Sequence, residues 1–274
     1  MTINCNGKLI SLDQPKVMGI LNVTPDSFFD GGKYKDESSI LSQVEKMINE
    51  GATFIDIGAY STRPGGLEID NTTELNRITP IVKLILKEFP NTILSIDTFR
   101  SSVAKECIQL GAAIINDISA GLQDKQMLNT VAKMNVPYIM MHMKGTPQNM
   151  QQKTDYDDML KEILLFFSER LSLAKSLGIK DIIIDPGFGF AKNVDQNYEL
   201  LRQLQMMNFI EHPLLVGISR KSMIYKTLNI TAEQALNGTT ALHMVCLQKG
   251  AKILRVHDVK EAMECVKLHD QLNA

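Results

Sequence analysis

The chain carries almost no net charge. Its formal charge is −2, and its basic residues do not gather into runs. The lack of a basic excess argues against a nucleic-acid partner, whose phosphates call for clustered Lys and Arg. It argues equally against a polybasic membrane-surface patch. No apolar run approaches the ~20 residues that a spanning helix needs. The start, Met1-Thr2-Ile3-Asn4-Cys5, has neither a charged n-region nor an apolar h-region, so no signal peptide is expected. Cysteines are few: Cys5, Cys107, Cys246 and Cys265. None forms a Cys-x-x-Cys pair, which disfavours a zinc knuckle and a disulfide framework. Free thiols suit a reducing compartment, and a cytoplasmic protein is expected. Without a linker or low-complexity stretch, one domain over residues 1–274 is expected.

What is present is enough for a large core. Hydrophobic residues make up 44% and charged residues 22% of the chain's 274 residues, which excludes disorder. Asn6-Gly7 between short β-prone segments predicts a hairpin. A regular alternation follows. Apolar runs at Val17–Val23, Phe54–Ile57, Ile93–Ile96, Ala113–Ile118, Tyr138–Met141, Ile182–Ile184, Leu214–Ile218 and Ile253–Val256 read as strands. Helical spacing separates them, with Gly51, Gly111, Gly178 and Gly250 closing several of the helices. Eight strand–helix units at this length predict an α/β fold of the closed (β/α)8 kind, a TIM barrel with a short N-terminal β-hairpin.

In such a barrel the active face lies at the C-terminal strand ends. Those ends carry Asn22, Asp56, Asp97, Asn116-Asp117, His142, Asp185, Ser219-Arg220-Lys221-Ser222, and Arg255 with His257. Singly, each has an ordinary structural reading. Asp56 or Asp97 fits a helix cap or an internal ion pair, His142 a hydrogen-bonded core histidine, and Ser222 a helix cap. Their recurrence at nearly every strand end favours a ligand pocket. Asp185 is the sharpest case, because it ends the Ile182–Ile184 run and its next cation along the chain is Lys192. A buried carboxylate needs a partner or a ligand.

Two chemistries divide the set. Asp97, Asn116 and Asp185 offer mostly acceptors, which fit a flat, donor-rich heterocycle such as an amino-pyrimidinone edge. Arg63, Lys221, Arg255 and His257 fit an anion, best a phosphate or pyrophosphate. Asn22, with Asp26 and Asp30, offers hard oxygens that suit Mg²⁺, although these residues are also common in turns. Gly31-Gly32 and Gly65-Gly66 read as hinges of lids over the active face. The methionines, including Met140, Met141 and Met143, read as core filler.

The motifs stand in an order that resembles dihydropteroate synthase over nearly the whole chain. They are Gly19-Ile20-Leu21-Asn22-Val23-Thr24-Pro25-Asp26-Ser27-Phe28, Asp56-Ile57-Gly58, Ser61-Thr62-Arg63-Pro64-Gly65, Ser95-Ile96-Asp97-Thr98 and Ile115-Asn116-Asp117. Met141-His142-Met143-Lys144-Gly145-Thr146-Pro147, Asp185-Pro186-Gly187-Phe188-Gly189-Phe190, Ser219-Arg220-Lys221-Ser222, Gly238-Thr239-Thr240 and Arg255-Val256-His257-Asp258-Val259 complete them. The resemblance implies a transferase of folate biosynthesis. It would join 6-hydroxymethyl-7,8-dihydropterin pyrophosphate to para-aminobenzoate, giving 7,8-dihydropteroate and pyrophosphate.

By matching position, the resemblance implies that Asp97, Asn116, Asp185 and Lys221 hold the pterin, with Met141 and Phe190 packed on it. Asn22, Arg63, Arg255 and His257 would take the pyrophosphate, Asn22 through Mg²⁺. Phe28, Thr62, Pro64 and Ser222 would form the aminobenzoate pocket, where sulfonamides compete. Arg63, Lys221, Arg255 and His257 are the expected catalytic group, and Arg255→Ala is expected to lose turnover far more than pterin binding. The resemblance also implies a homodimer. Two departures fall near the expected lids: Phe29 replaces a small polar residue, and Ala59-Tyr60 replaces Gly-Glu or Ala-Glu.

Three other readings compete. A pterin-binding methyltransferase domain would not need the Arg63, Arg255 and His257 group. A non-catalytic pterin-binding paralogue would tolerate altered lids. A phosphate-binding aldolase would want a lysine inside a strand, and no apolar run here holds one.

Overall fold

The computed structural model of the chain describes residues 1–23, 33–60 and 68–273, with main chain alone at 33–36. β1 (Thr2–Cys5) and β2 (Lys8–Ser11) pair antiparallel, Cys5 opposite Lys8. Asn6 and Gly7 both take positive φ, 52° and 85°, the requirement of the tight turn that Asn-Gly favours. Period-two alternation buries Ile3, Cys5 and Ile10 on one face.

Eight parallel strands follow. They are β3 (Lys16–Asn22), β4 (Phe54–Gly58), β5 (Ile93–Asp97), β6 (Ile114–Asp117), β7 (Tyr138–Met141), β8 (Ile182–Asp185), β9 (Leu215–Val216) and β10 (Ile253–Val256). They pair in chain order from β3 to β8, and β10 joins β3 to β9. β9 has only two residues, fewer than the Leu214–Ile218 expected. The ring is completed by a parallel bridge between Ile184 and Leu214, with Ile184 N donating to Pro213 O at 2.9 Å. The architecture is therefore the TIM barrel with a hairpin that the sequence predicts.

The described helices are α1 (Lys33–Asn49), α2 (Asn71–Glu88), α3 (Ser101–Gln109), α4 (Met127–Met134), α5 (Met159–Ser176), α6 (Val194–Arg202), α7 (Ser222–Leu228), α8 (Leu236–Gln248) and α9 (Val259–Leu272). Two features go beyond the simple alternation. α6 ends at Arg202 and passes into a 3₁₀ segment, Leu204–Ile210. α7 is an extra short helix directly after β9.

Strand alternation sorts the side chains. Ile55, Ile57, Leu94, Ile96, Ile115, Tyr138, Ile182, Ile184, Leu254 and Val256 point outward and join the helices in the main core. The inward series starts apolar. Met18, Phe54, Ile93, Ile114, Ile139, Ile183, Leu215 and Ile253, near the strand starts, form a second cluster with Ile3, Cys5, Ile10 and Leu12. The hairpin thus plugs the N-terminal mouth. Two residues further along several of the same strands the inward position turns polar. Phe54 is followed by Asp56, Ile93 by Ser95, Ile114 by Asn116, Ile183 by Asp185 and Ile253 by Arg255.

This division makes a prediction. Leu12 is fully buried in the plug, so Leu12→Ala is expected to cost about 2–5 kcal/mol of stability. Urea unfolding checks the loss. KM values are expected to stay at wild type, because the plug lies at the opposite mouth from the polar layer.

Candidate active site at the C-terminal mouth

Arg255 is the centre of the polar layer. Its Nε donates to Asp56 Oδ2 at 2.6 Å, and its second terminal nitrogen donates to Asp97 Oδ2 at 2.7 Å. Asn116 Nδ2 donates to the same Asp56 oxygen at 3.0 Å. Four strands, β4, β5, β6 and β10, are tied together here. Burial works against the charge of Arg255, and Asp56 and Asp97 more than offset it, so its pKa rises further. Burial pushes the Asp97 carboxyl upward, opposed by Arg255 and reinforced by Asp56. Among the described residues Asp56 Oδ1 is buried without a hydrogen-bond partner, an open acceptor in the floor of the pocket.

A second cationic group faces Asp185. Arg220 takes φ 55°, so the chain turns sharply between β9 and α7 and Lys221 becomes the residue that caps α7. Arg220 is a strut. It forks onto Asp258 with two 2.8 Å bonds and donates to the carbonyls of Ala232 and Glu233. The Lys221 ammonium donates to Phe188 O and lies 4.7 Å from the Phe190 ring centroid. Burial lowers the Lys221 pKa to about 8, partly offset by Asp185. Burial raises the Asp185 pKa, with Lys221 as the main opposing charge. Gly187 N donates to Asp185 Oδ1 at 2.8 Å.

The loop after β8 is tight. Gly187 has φ 72°, and a Cβ there would lie 2.0 Å from His142 O, so only glycine fits. Met141, Met143, Met150, Ile118 and Ala191 form a small apolar cluster, with Phe99 and Phe190 packed against it. The other mouth residues are less enclosed. Asn22 is half-buried at the end of β3, opposite Gly58, which in turn stands opposite Asp97. Ser222 is half-buried at the first position of α7. His257 is exposed, with Nδ1 3.1 Å from Ser219 Oγ, and its own N–H donates to that oxygen.

The family described as "Pterin binding enzyme" matches residues 18–257. Dihydropteroate synthase of Escherichia coli (strain K12) is 42% identical over 98% of this chain and 95% of its own. A Yersinia pestis dihydropteroate synthase, solved as a sulfonamide drug complex, superposes with a TM-score of 0.93 at 41% identity, over 100% of this chain and 99% of that one. The Xanthomonas albilineans enzyme with 4-aminobenzoic acid gives 0.92 at 36%, over 100% and 98%. The chain belongs to the dihydropteroate synthase family.

Seen as a dihydropteroate synthase, the chain brings most of its expected site together. Asp97, Asn116, Met141, Asp185, Phe190, Lys221 and Arg255 all surround the inner mouth, while Asn22, Ser222 and His257 stand at the ends of their strands or just beyond. Phe28, Thr62, Arg63 and Pro64 lie outside the described residues, as do Asp26, Asp30, Phe29 and the glycine pairs of the expected lids. Arg255 is where the geometry revises the sequence reading. It is not set apart from the acceptors in a separate anion group; two of its donors are committed to carboxylates of the acceptor layer.

Asp56 is a residue of the polar layer that the sequence reading placed at a strand end but left out of the site. Its signal was the alternation Phe54, Asp56, Gly58, which turns it inward. His142 is the buried core histidine that its ordinary reading expects. Asp117 is structural too. It accepts from Ser119 N, Ser119 Oγ, Gly121 N and Tyr138 OH at 2.6–2.7 Å. Tyr60 is locked in place. Gln148 donates to its hydroxyl at 2.5 Å, and its ring packs edge-on against Phe99 and beside the Arg100 guanidinium.

Proposed function

We propose that the enzyme joins 6-hydroxymethyl-7,8-dihydropterin pyrophosphate to para-aminobenzoate, releasing 7,8-dihydropteroate and pyrophosphate. One observation carries this reading. A buried set of acceptors on adjacent strands, Asp97 and Asn116 with Asp185 across the mouth, shares its pocket with the cations Arg255 and Lys221. A flat heterocycle rich in N–H groups satisfies the acceptors, and a leaving pyrophosphate satisfies the cations and His257. The dihydropteroate synthases at high coverage, and the Xanthomonas albilineans structure with 4-aminobenzoic acid, support the same reading.

In this reading Asp97, Asn116, Asp185 and Lys221 orient the pterin, and Met141 and Phe190 pack on its faces. Arg63, Arg255 and His257 bind the pyrophosphate, and with Lys221 they offset charge as the C–O bond breaks. The arylamine is neutral at pH 7 and needs no strong base. Phe28, Thr62, Pro64 and Ser222 hold the amine in line.

Asn22 is the described candidate for Mg²⁺. Among the described residues it is the oxygen ligand at the end of β3. One amide oxygen at the mouth suits an ion whose other positions are phosphate oxygens and water. When bound, the ion would supply charge neutralisation on the leaving group. The free cysteines are all buried, which accords with a cytoplasmic setting. A homodimer is the assembly this reading carries.

The deciding assay incubates the protein with pterin pyrophosphate, Mg²⁺ and para-aminobenzoate, and measures pyrophosphate release with and without the amine. Absence of amine-dependent dihydropteroate would remove the synthase reading. A pH dependence follows from Lys221. Its protonated form is the working one, and its pKa lies near 8. The kcat/KM for the pterin substrate is therefore expected to turn down as pH rises through about 8. A profile flat to pH 10 would contradict the role of the Lys221 charge.

A further inference from the structure

Lys192 is a buried lysine that the reaction as described does not use. It is 2% exposed. Its ammonium has three donors, and the structure gives each an acceptor: Gly187 O at 3.0 Å, Phe190 O at 3.1 Å and His142 Nδ1 at 3.1 Å. Burial lowers the Lys192 pKa to about 7, opposed mainly by Asp185. In its protonated form the lysine only donates, so His142 Nδ1 accepts and the ring proton sits on Nε2. His142 is fixed in turn by burial and by the edge of Phe166, 4.9 Å between centroids.

The same loop serves a second ammonium, since Phe188 O accepts from Lys221. The carbonyls of residues 187, 188 and 190 are thus divided between two lysines. Asp185 begins this loop and Phe190 lies near its end. Gly189 N is held by Asn197 Oδ1 at 2.6 Å, and Phe190 N by Gly187 O at 3.1 Å. Without the Lys192 ammonium, Phe190 O and His142 Nδ1 would lose this donor and Gly187 O would keep only Phe190 N, which loosens the loop that runs from Asp185 to Phe190.

We propose that Lys192 is a positioning residue for pterin recognition, setting from behind the pocket the loop geometry that places the Asp185 carboxylate and the Phe190 ring. Its charge also helps keep Asp185 ionised, together with Lys221 and Arg255. The inference rests on the pterin reading of the site. It separates Lys192 from a generic structural lysine, because it concerns one substrate and not the other.

The test is Lys192→Met, which keeps the length and apolar stem of the side chain and removes the charge. Binding of 6-hydroxymethylpterin is measured by calorimetry, and KM is measured for both substrates. Pterin affinity is expected to fall about tenfold or more, with the aminobenzoate KM within about twofold of wild type. Leu12→Ala serves as a control that loses stability but keeps pterin affinity. Equal affinity in Lys192→Met and wild type, or an equal rise in both KM values, would overturn the inference.

If Lys192→Met does not fold, the His142 pair decides. His142→Leu removes one acceptor of the ammonium, whereas His142→Asn keeps one near the Nδ1 position. Weakened pterin binding in the Leu variant alone supports the positioning role, and equal affinity in the two variants overturns it. A wild-type protein that binds no pterin would sink the functional reading itself, an outcome distinct from a failure of the Lys192 inference.

Discussion

Arg255→Ala is expected to lower kcat/KM for the pterin substrate by about 10²–10³-fold, with pterin binding and turnover falling together. The sequence alone points to a loss of turnover far larger than the loss of pterin binding, because an arginine facing a pyrophosphate acts on the leaving group. The geometry broadens the effect. Arg255 is the shared counter-ion of Asp56 and Asp97, and removing one partner of a buried pair leaves charge uncompensated, at a cost of about 3–5 kcal/mol. Burial already raises the Asp97 carboxyl. Without the guanidinium it would bind a proton more readily and cease to be a pure acceptor for a heterocycle N–H. Stability is expected to fall as well, so unfolding midpoints should be measured beside the kinetics. Steady-state kinetics in both substrates, with calorimetry of an unreactive pterin, separates the two losses. Intact pterin affinity with lost turnover would restore the narrower leaving-group role.

The second large effect concerns the carboxylate at the end of β8. Asp185→Asn is expected to raise the pterin KM by about 10–100-fold, with a smaller change in kcat and an unchanged aminobenzoate KM. The substitution keeps the shape of the side chain, and its amide oxygen can still accept from Gly187 N. It removes the charge that faces Lys221 and Lys192, and it places an amide N–H₂ where a second acceptor stood. A donor against a donor-rich ring edge is repulsive. Charged acceptors also make the stronger hydrogen bonds. In the proposed function Asp185 thereby serves recognition and orientation, and the assistance to bond breaking falls to the cations. A pterin KM at the wild-type value in Asp185→Asn would show that this carboxylate does not face the ring.

The sequence by itself determined the architecture and the family. Eight apolar runs with helical spacing between them leave few alternatives to a closed parallel barrel, because parallel strands must be joined by crossovers and buried on both faces. Asn6-Gly7 determined the hairpin through its backbone preference. The order of the motifs determined which family the chain resembles, and strand alternation was enough to turn Asp56, Asp97, Asn116 and Asp185 toward one mouth. Local chemistry governs each of these.

Only the tertiary structure decided how the charges are shared. Arg255 reaches Asp56 and Asp97 across 199 and 158 positions of chain, a distance no local pattern reports. The separation into an acceptor group and a cation group was a sorting by residue type. Barrel closure places β10 beside β3, two strands from β4, and merges the groups. Along the chain Lys192 is only the next cation after Asp185, and nothing local in the sequence brings it near. The left-handed turn at Gly187 and the packing of His142 bring its ammonium back beneath the loop. The shortness of β9 and the extra helix α7 follow the same rule. The sharp turn at Arg220, held by Asp258 from the next strand's loop, ends the strand early and starts a helix whose first residues are Ser222 and Met223. Hydrogen bonds between segments remote in sequence decide such details, because a buried charge settles wherever the fold supplies its partner.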